Sequence, residues 1–361
     1  MKAAVLRDVG APLSIEEIQI DNPRSHEVLV RTAACGVCHS DLHFIEGLYR
    51  CPKPVVLGHE SAGIVEKVGS EVRYVKPGDH VITCLSVFCG HCEFCTTGQP
   101  FNCENPETAR GADQPPRLSQ VDSDMHQFYD LSAFAEQMLI HEHALVKIRD
   151  DIPLDCAALI GCAVTTGFGA VIHTAGVEVG STIAVIGCGG VGLSAINGAA
   201  IAGAGRIIAV DIAGSKLNLA KHFGATDLVN AAETDPVAVV KELTGGGVAY
   251  SFEALGRKET SEQAFRMLRT GGVATIIGMV PQGQMLEIEA AELLYDRKLQ
   301  GSNMGSNSFR VDMPRFVEFY LDGKLKLDEM ISRRIQLEQI NEAFDEMKSG
   351  EIARSVITFE H

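Results

Sequence analysis

The chain has 361 residues, more than one compact core usually organises, so two domains are expected. Hydrophobic residues make up 46% and charged residues 22%, a globular balance that excludes a disordered or fibrous chain. With 31 Lys and Arg against 47 Asp and Glu, the formal net charge of −16 repels nucleic acid and anionic membrane, and neither is expected as a partner.

The start carries Lys2, Arg7 and Asp8 where a secretory signal needs an apolar stretch, so a cytoplasmic location is expected. In a reducing compartment the eleven cysteines read as metal ligands, reactive thiols or core residues rather than disulfides. Up to about residue 150, short β-like runs such as Glu27–Ala34, Gly63–Val68 and His80–Thr83 alternate with turn residues. Asn102–Asp130 is polar, proline-bearing and aperiodic, which reads as a long surface loop.

After Cys162 the rhythm changes. Strand-like Ile183–Ile186 leads to a helical run, then Arg206–Asp211, helical Ser215–Phe223, Asp227–Asn230 and helical Pro236–Leu243. Ala249–Leu255, helical Glu259–Leu268 and Val273–Gly278 follow. Strands and helices alternating at this spacing predict a doubly wound parallel sheet with helices on both faces. The uncharged run Val179–Gly205 has the length of a membrane span, but its glycines and Asn197 suit a strand, a tight turn and a helix better. From Met304 onward the chain reads as mostly helical, closing on strand-like Ser355–Phe359.

Gly187-Cys188-Gly189-Gly190-Val191-Gly192 lies between an apolar strand and a helix, the context a dinucleotide-binding turn requires. The first glycine permits the turn, the second lets a pyrophosphate approach, and the third lets helix and strand pack closely. The helix N-terminus offers free N–H groups to the phosphates. Asp211 closes the next strand, where a carboxylate accepts from an adenosine ribose and repels a 2′-phosphate. No arginine follows closely, so NAD is expected over NADP. The bland alternative is a glycine-rich turn that binds nothing.

Cys89, Cys92, Cys95 and Cys103 place four thiols within fifteen positions. Four thiolates close a tetrahedral Zn²⁺ with no open position, so this ion would be structural. An iron–sulfur cluster fits less well, because the last gap is seven residues and Glu104 rather than proline follows Cys103. Cys38, His59 and Cys162 are scattered but sit at distinctive junctions. Two thiolates and an imidazole would leave the fourth zinc position open, as a catalytic site needs, although spacing alone does not bring them together.

Gly58-His59-Glu60-Ser61-Ala62-Gly63 through Gly69 and Val72, ending in Gly78-Asp79, resembles the signature of the zinc-dependent medium-chain alcohol dehydrogenases. The four-cysteine lobe, Leu159–Cys162, Gly187–Gly192, Ser251–Gly256 and Gly350–Arg354 follow in the family's order, over essentially the whole chain. The resemblance implies a GroES-like, mainly β catalytic domain formed by residues 1–163 and 304–361, with a Rossmann-type NAD-binding domain over 164–303. It implies two zincs per chain: a catalytic one on Cys38, His59 and Cys162, and a structural one on the four clustered cysteines. Glu60 matches a nearby carboxylate that can act as an alternate ligand, and Asp41 an acid that orients the ligand histidine. Ser40 and His43 match a proton relay. His39 and Arg354 match residues that contact cofactor phosphate, and Asp211 and Lys216 residues at the adenosine ribose.

The activity so implied is reversible oxidation of an alcohol to an aldehyde or ketone. Zinc lowers the alcohol's pKa, Ser40 and His43 carry the proton away, and the nicotinamide takes the hydride. The resemblance places Leu85, Thr166 and Val191 near the substrate pocket, with Phe88 and Phe134 as neighbours. Leu85 stands where some relatives carry an aromatic residue, which leaves room for a bulky or aromatic primary alcohol. Oxidation of a glutathione adduct or a polyol is the alternative in the same superfamily, although no arginine cluster for an anionic substrate is evident. A catalytically silent dinucleotide-binding protein is the alternative outside it. Relatives pair through the edge of the nucleotide-binding sheet, which implies a homodimer or a homotetramer.

The remaining residues read as bland. Cys35, Cys51, Cys84, Cys156 and Cys188 are expected in the core. His141 and His143 read as a solvated pair on one strand face, and His26, His80, His91, His126, His173 and His222 show no partners in the sequence.

Overall fold

The structure, a computed structural model, describes residues 1–104, 106–111, 113–120, 123–350 and 353–360. Its first half is organised by one ten-residue strand, Glu27–Gly36, rich in valine and alanine and covered on both faces. One edge of that strand pairs antiparallel with Glu60–Val68. The other edge is shared: Gln137–His141 pairs with residues 27–31, and the late strand Ser355–Thr358 pairs with residues 34–36. That return of the distal chain sets Arg354 beside Val37 and Glu60. The sequence reading of the tail missed Arg333–Ile335, a short strand parallel to Ser355–Thr358.

The second half forms the expected parallel sheet. From edge to edge its strands are Asp227–Asn230, Arg206–Asp211, Thr182–Ile186, Val248–Glu253, Leu268–Ile276 and Lys298–Gly301. In chain order this is 3-2-1-4-5-6, the doubly wound arrangement, whose strand order reverses between the strands ending at Ile186 and Glu253. A ligand crevice belongs outside the carboxyl ends of those two strands. Val179–Gly205 resolves into strand, turn and the helix Gly190–Ile201.

The long apolar helix lies elsewhere. Residues Leu154–Thr174 are long and apolar enough to cross a membrane, but 89% of the apolar window is buried inside the protein, so the helix serves as core between the two halves. It contains two wide π turns, one over Ile160–Val164, which carries Cys162. Such turns re-aim side chains and gather at functional sites.

Asn102–Asp130 is not simply a surface loop. It carries the antiparallel strands Leu118–Gln120 and Ser123–Gln127, joined to the sheet of Lys2–Leu6, and it buries Leu118, Met125 and Phe128. Its prolines and polar residues concealed two strands too short to show a period. Residues 105, 112, 121 and 122 of that stretch lie outside the described residues, as do Glu351 and Ile352 of the Gly350–Arg354 motif.

Two arginines anchor this segment. Arg110 holds the buried Glu27 carboxylate with Nε and Nη2 at 2.8 and 2.6 Å, and Arg117 Nε donates to it at 2.8 Å. Burial pushes the Glu27 carboxyl up, but the two guanidiniums outweigh it and bring the group from 4.5 down to about 2. A depressed pKa stabilises the fold above the unfolded value and loses that contribution as pH falls from about 4.5 towards 2. Glu27→Gln, which removes the carboxylate shared by two guanidiniums and leaves Arg110 with Asp21 at 2.6 Å and Arg117 with Asp130 at 3.7 Å, is expected to cost about 2 kcal/mol at neutral pH and to weaken the acid dependence of stability in that window. Denaturant unfolding across pH measures both, and an unchanged acid limb would contradict the assignment.

Candidate active site and metal centres

Cys38 follows the long strand and stands at the N-cap of helix His39–Ile45. His59 immediately precedes strand Glu60–Val68, and Cys162 projects from the π turn. One ligand atom from each lies within 4.8 Å of the others, and all three side chains are buried. Asp41 fixes the imidazole: its Oδ1 accepts from Gly58 N–H at 3.0 Å and from His59 Nδ1 at 3.1 Å. A proton held on Nδ1 leaves Nε2 as the lone-pair nitrogen, and that atom is buried with no hydrogen-bond partner among the described residues. A hydrogen bond from Cys162 holds the Cys38 thiol well below its ordinary range, while the same bond and burial hold Cys162 above it. A thiolate, a second thiol and an orphaned imidazole nitrogen fit a Zn²⁺ ion with one position left over.

Glu60 lies behind this group. Its Oε2 accepts from Ala163 N–H at 3.1 Å and faces Arg354 Nη2 at 3.3 Å, while Oε1 has no hydrogen-bond partner among the described residues. Burial pushes the carboxyl up to about 7, with Arg354 acting against it. Arg354 is itself buried and donates from Nη1 to Val37 O at 3.0 Å. A Cβ on Gly190 would lie 2.7 Å from Arg354 Nη2. The guanidinium therefore sits between Glu60 and the glycine turn, charging the turn from behind rather than standing free over it.

The glycine turn has the space its sequence promised. Gly187 adopts φ +95°, and a Cβ on Gly192 would fall 1.7 Å from Gly187 O, so helix and turn touch through backbone. A Cβ on Gly189 would meet nothing within 4 Å, leaving the gap a pyrophosphate needs. Helix Gly190–Ile201 has no side-chain cap at its start, so its first N–H groups remain available to an anion. Asp211 accepts from Cys188 N–H at 2.7 Å and Ala213 N–H at 2.9 Å, which fixes its carboxylate at the end of the second strand. Lys216 lies, half-buried, on the helix that follows.

Between these parts lies a cleft of about 330 Å³. Cys38, His59 and Cys162, His39, Ser40 and His43, and Leu85, Thr166 and Val191 all line it. Burial lowers the His43 imidazole, and its Nδ1 is buried without a hydrogen-bond partner among the described residues. Phe88 and Phe134 do not line this cleft. Phe88 stacks on His143 with ring centroids 4.7 Å apart, and Phe134 is wholly buried against Phe344 and the Gly58 turn. The sequence reading missed Tyr49, Tyr129, Ile277–Met279 and Ser302–Met304, which complete the walls. Tyr129 was concealed inside the aperiodic stretch, and Tyr49 lies just past helix His39–Ile45. Ile277–Met279 follow a strand whose end the sequence located only approximately, and Ser302–Met304 follow Lys298–Gly301, a strand the sequence did not reveal. Among the described lining residues there is no Lys or Arg.

The second centre is Cys89, Cys92, Cys95 and Cys103, whose sulfurs lie within 4.8 Å of one another. Cys89 N–H donates to Cys103 Sγ at 3.3 Å, and Cys92 N–H and His91 N–H donate to Cys89 Sγ at 3.3 and 3.5 Å. Burial pushes the Cys89 thiol up, yet these donors outweigh it and bring it down to about 6. The backbone is thus arranged for thiolate, as a closed zinc site requires. Asn303 Nδ2 reaches Phe101 O at 3.0 Å, which joins this lobe to the cleft wall.

Several bland readings need correction. His141 ends its strand and His143 lies in the next turn, where His141 Nδ1 accepts His143 N–H at 3.0 Å; they are half-buried rather than a solvated pair. His26 pairs with Glu142, His91 with Glu107 and His173 with Asp312, contacts across chain separations that spacing does not reveal. Cys35, Cys84, Cys156 and Cys188 are buried, but Cys51 is only partly so.

Comparison with known proteins agrees with this geometry. An alcohol dehydrogenase GroES-like domain matches residues 24–150, and a zinc-binding dehydrogenase domain matches residues 190–321. A probable S-(hydroxymethyl)glutathione dehydrogenase of Schizosaccharomyces pombe is 40% identical over 99% of this chain and 96% of its own length. Among solved structures, an alcohol dehydrogenase zinc-binding domain protein from Burkholderia ambifaria superposes with a TM-score of 0.95 at 37% identity, covering 100% of this chain and 99% of that one. The benzyl alcohol dehydrogenase of Acinetobacter calcoaceticus superposes with a TM-score of 0.94 at 34% identity, covering 99% of each chain. The fold, the two metal centres and these matches together define a zinc-binding oxidoreductase. The chain belongs to the zinc-dependent medium-chain alcohol dehydrogenase family.

Proposed function

We propose that this protein oxidises primary alcohols with an apolar, aromatic tail, using NAD. Residues 1–163 and 304–361 would form the catalytic domain, and residues 164–303 the nucleotide-binding one. The observation that carries the substrate class is the cleft itself. The metal-ligand group faces the carboxyl end of the parallel sheet across walls that include Leu85, Val191, Tyr129 and Met304, with no lining Lys or Arg among the described residues.

When bound, zinc supplies Lewis acidity at the alcohol oxygen and the nicotinamide supplies the hydride acceptor. The chain does the rest. Cys38, His59 and Cys162 hold the metal, with Asp41 locking the His59 tautomer. Ser40, whose Oγ lies 3.7 Å from Cys38 Sγ, would accept the alcohol proton while releasing its own, and His43, its ring stacked 6.2 Å from Tyr49, would take up the released proton and pass it towards solvent. His43 stays largely neutral near pH 7, because burial lowers its pKa, and a neutral imidazole can accept that proton. Glu60 would serve as an alternate ligand through its Oε1, which has no partner among the described residues. Asp211 and Lys216 bind the adenosine ribose. Gly187, Gly189, Gly190, Val191 and Gly192 carry the pyrophosphate, with His39 beside it and Arg354 charging the turn from below. Leu85 and Thr166 shape the substrate end.

A second reading, oxidation of S-(hydroxymethyl)glutathione, is favoured by the name of the fission-yeast relative and disfavoured by the missing cationic wall. Measuring NADH formation with benzyl alcohol, ethanol, a polyol and S-(hydroxymethyl)glutathione separates them. Benzyl alcohol is expected to give the highest kcat/KM; a preference for the glutathione adduct would overturn the reading.

We further propose pairing of two copies through the sheet edge at Lys298–Gly301. Just before that edge strand, Leu294 and Tyr295 are 88% and 60% exposed, large apolar side chains of the kind an interface covers. Leu294→Asp is expected to shift the light-scattering mass from a multiple of the chain towards a single copy. An unchanged mass would place the interface elsewhere.

A further inference from the structure

Tyr129 stands in a conformation that a tyrosine rarely adopts. Its φ is +50°, and Asp130 and Ser132 are also left-handed, at +58° and +60°. Backbone of this kind costs free energy and persists where the surroundings over-determine it. Here they do. Ser132 Oγ accepts from Phe128 N–H at 2.9 Å and donates to Val56 O at 2.8 Å, while Arg117 Nη1 lies 3.7 Å from Asp130. The ring of Tyr129 meets Phe44 edge-on at 5.9 Å and lies 6.4 Å from the His59 ring, so it is fixed against the metal-ligand group.

The phenol hydroxyl, by contrast, has no hydrogen-bond partner among the described residues, although the residue lines the cleft and is 42% exposed. Away from the metal-ligand group and the Ser40–His43 side, three other polar side chains of the cleft wall are engaged. Tyr49 donates to Val280 O at 2.5 Å, Thr166 donates to Met304 Sδ at 3.3 Å, and Asn303 donates to Phe101 O at 3.0 Å. A strained turn thus presents an unpartnered hydroxyl on a stretch of wall with no Lys or Arg among the described lining residues.

We infer that Tyr129 is a specificity-determining residue that hydrogen-bonds an oxygen substituent on the ring of an aromatic alcohol, a hydroxyl or a methoxy group. The inference rests on the aromatic-alcohol reading above and narrows it. The phenol can donate to either group and also accept from a hydroxyl. An apolar substituent of the same size would leave it unpaired and stripped of water. A site built to bond a polar group rejects the analogue that lacks one.

The test compares 4-hydroxybenzyl, 3-methoxybenzyl and 4-methylbenzyl alcohols with wild-type enzyme and Tyr129→Phe. The wild type is expected to favour at least one oxygenated alcohol over the methyl analogue by roughly five- to tenfold in kcat/KM, mainly through KM. In Tyr129→Phe that ratio is expected to fall to near one, because phenylalanine keeps the ring and loses only the hydroxyl. Zinc content and NADH affinity report on folding of the variant. Equal kcat/KM for all three alcohols in the wild type, or a preference kept by Tyr129→Phe, would overturn the inference and leave the aromatic-alcohol reading standing. Turnover of none of the three alongside turnover of S-(hydroxymethyl)glutathione would remove both.

Discussion

Cys38→Ser is expected to keep its fold, bind about one zinc per chain and lose at least about a thousandfold in kcat. Serine is nearly isosteric with cysteine, so the buried junction between the long strand and helix His39–Ile45 stays filled. What disappears is the thiolate of the open site, and zinc selects thiolate and imidazole over a neutral hydroxyl. Without the metal, the alcohol keeps its high pKa, and Ser40 and His43 have no acidified proton to move. Lewis-acid assistance is worth several kcal/mol, which sets the thousandfold figure. Steady-state kinetics with a metal assay on the same preparation checks it. A variant that holds both zincs and turns over normally would take Cys38 out of the site.

Cys95→Ser is expected to behave in the opposite way, losing stability first. The four-cysteine lobe contains only the short helix Glu93–Thr96 and a 3-10 turn, with no buried residues on either. A lobe without a core of its own depends on its metal, and closed zinc sites contribute folding free energy directly. Loss of the ion is expected to lower Tm by roughly ten degrees and to leave about one zinc per chain. Activity is expected to fall by less than in Cys38→Ser, through the Asn303–Phe101 contact that ties the lobe to the cleft. Thermal denaturation with and without a chelator reads this out; an unchanged Tm would mean the lobe folds without metal.

Much of this was legible in the chain, for identifiable reasons. The glycine turn and the four-cysteine run announce themselves because their chemistry is local: each group lies within a few residues, on one turn or lobe. The central strands of the parallel sheet, Thr182–Ile186 and Arg206–Asp211, were visible because they are continuous apolar runs that are almost wholly buried, whereas the edge strand Lys298–Gly301, short and partly exposed, was missed. Cys38, His59 and Cys162 gave only junction positions. It took the pairing of Glu27–Gly36 with Glu60–Val68 and the π turn at Cys162 to bring them within one ion's reach. The Arg354–Glu60 contact depends on Ser355–Thr358 returning to the first long strand, a pairing over more than three hundred residues. Tyr129 escaped notice because strands of three and five residues, broken by prolines and polar side chains, show no period.

The central claim is that two thiols and an imidazole hold a zinc whose fourth position opens into the cleft. An anomalous-difference map recorded at the zinc edge on crystals of the whole protein tests it most directly. Two peaks per chain are expected, one enclosed by the four clustered cysteines and one bonded to Cys38, His59 and Cys162 with only solvent completing its shell. A single peak at the cysteine lobe, or a second ion permanently closed by Glu60, would contradict the account.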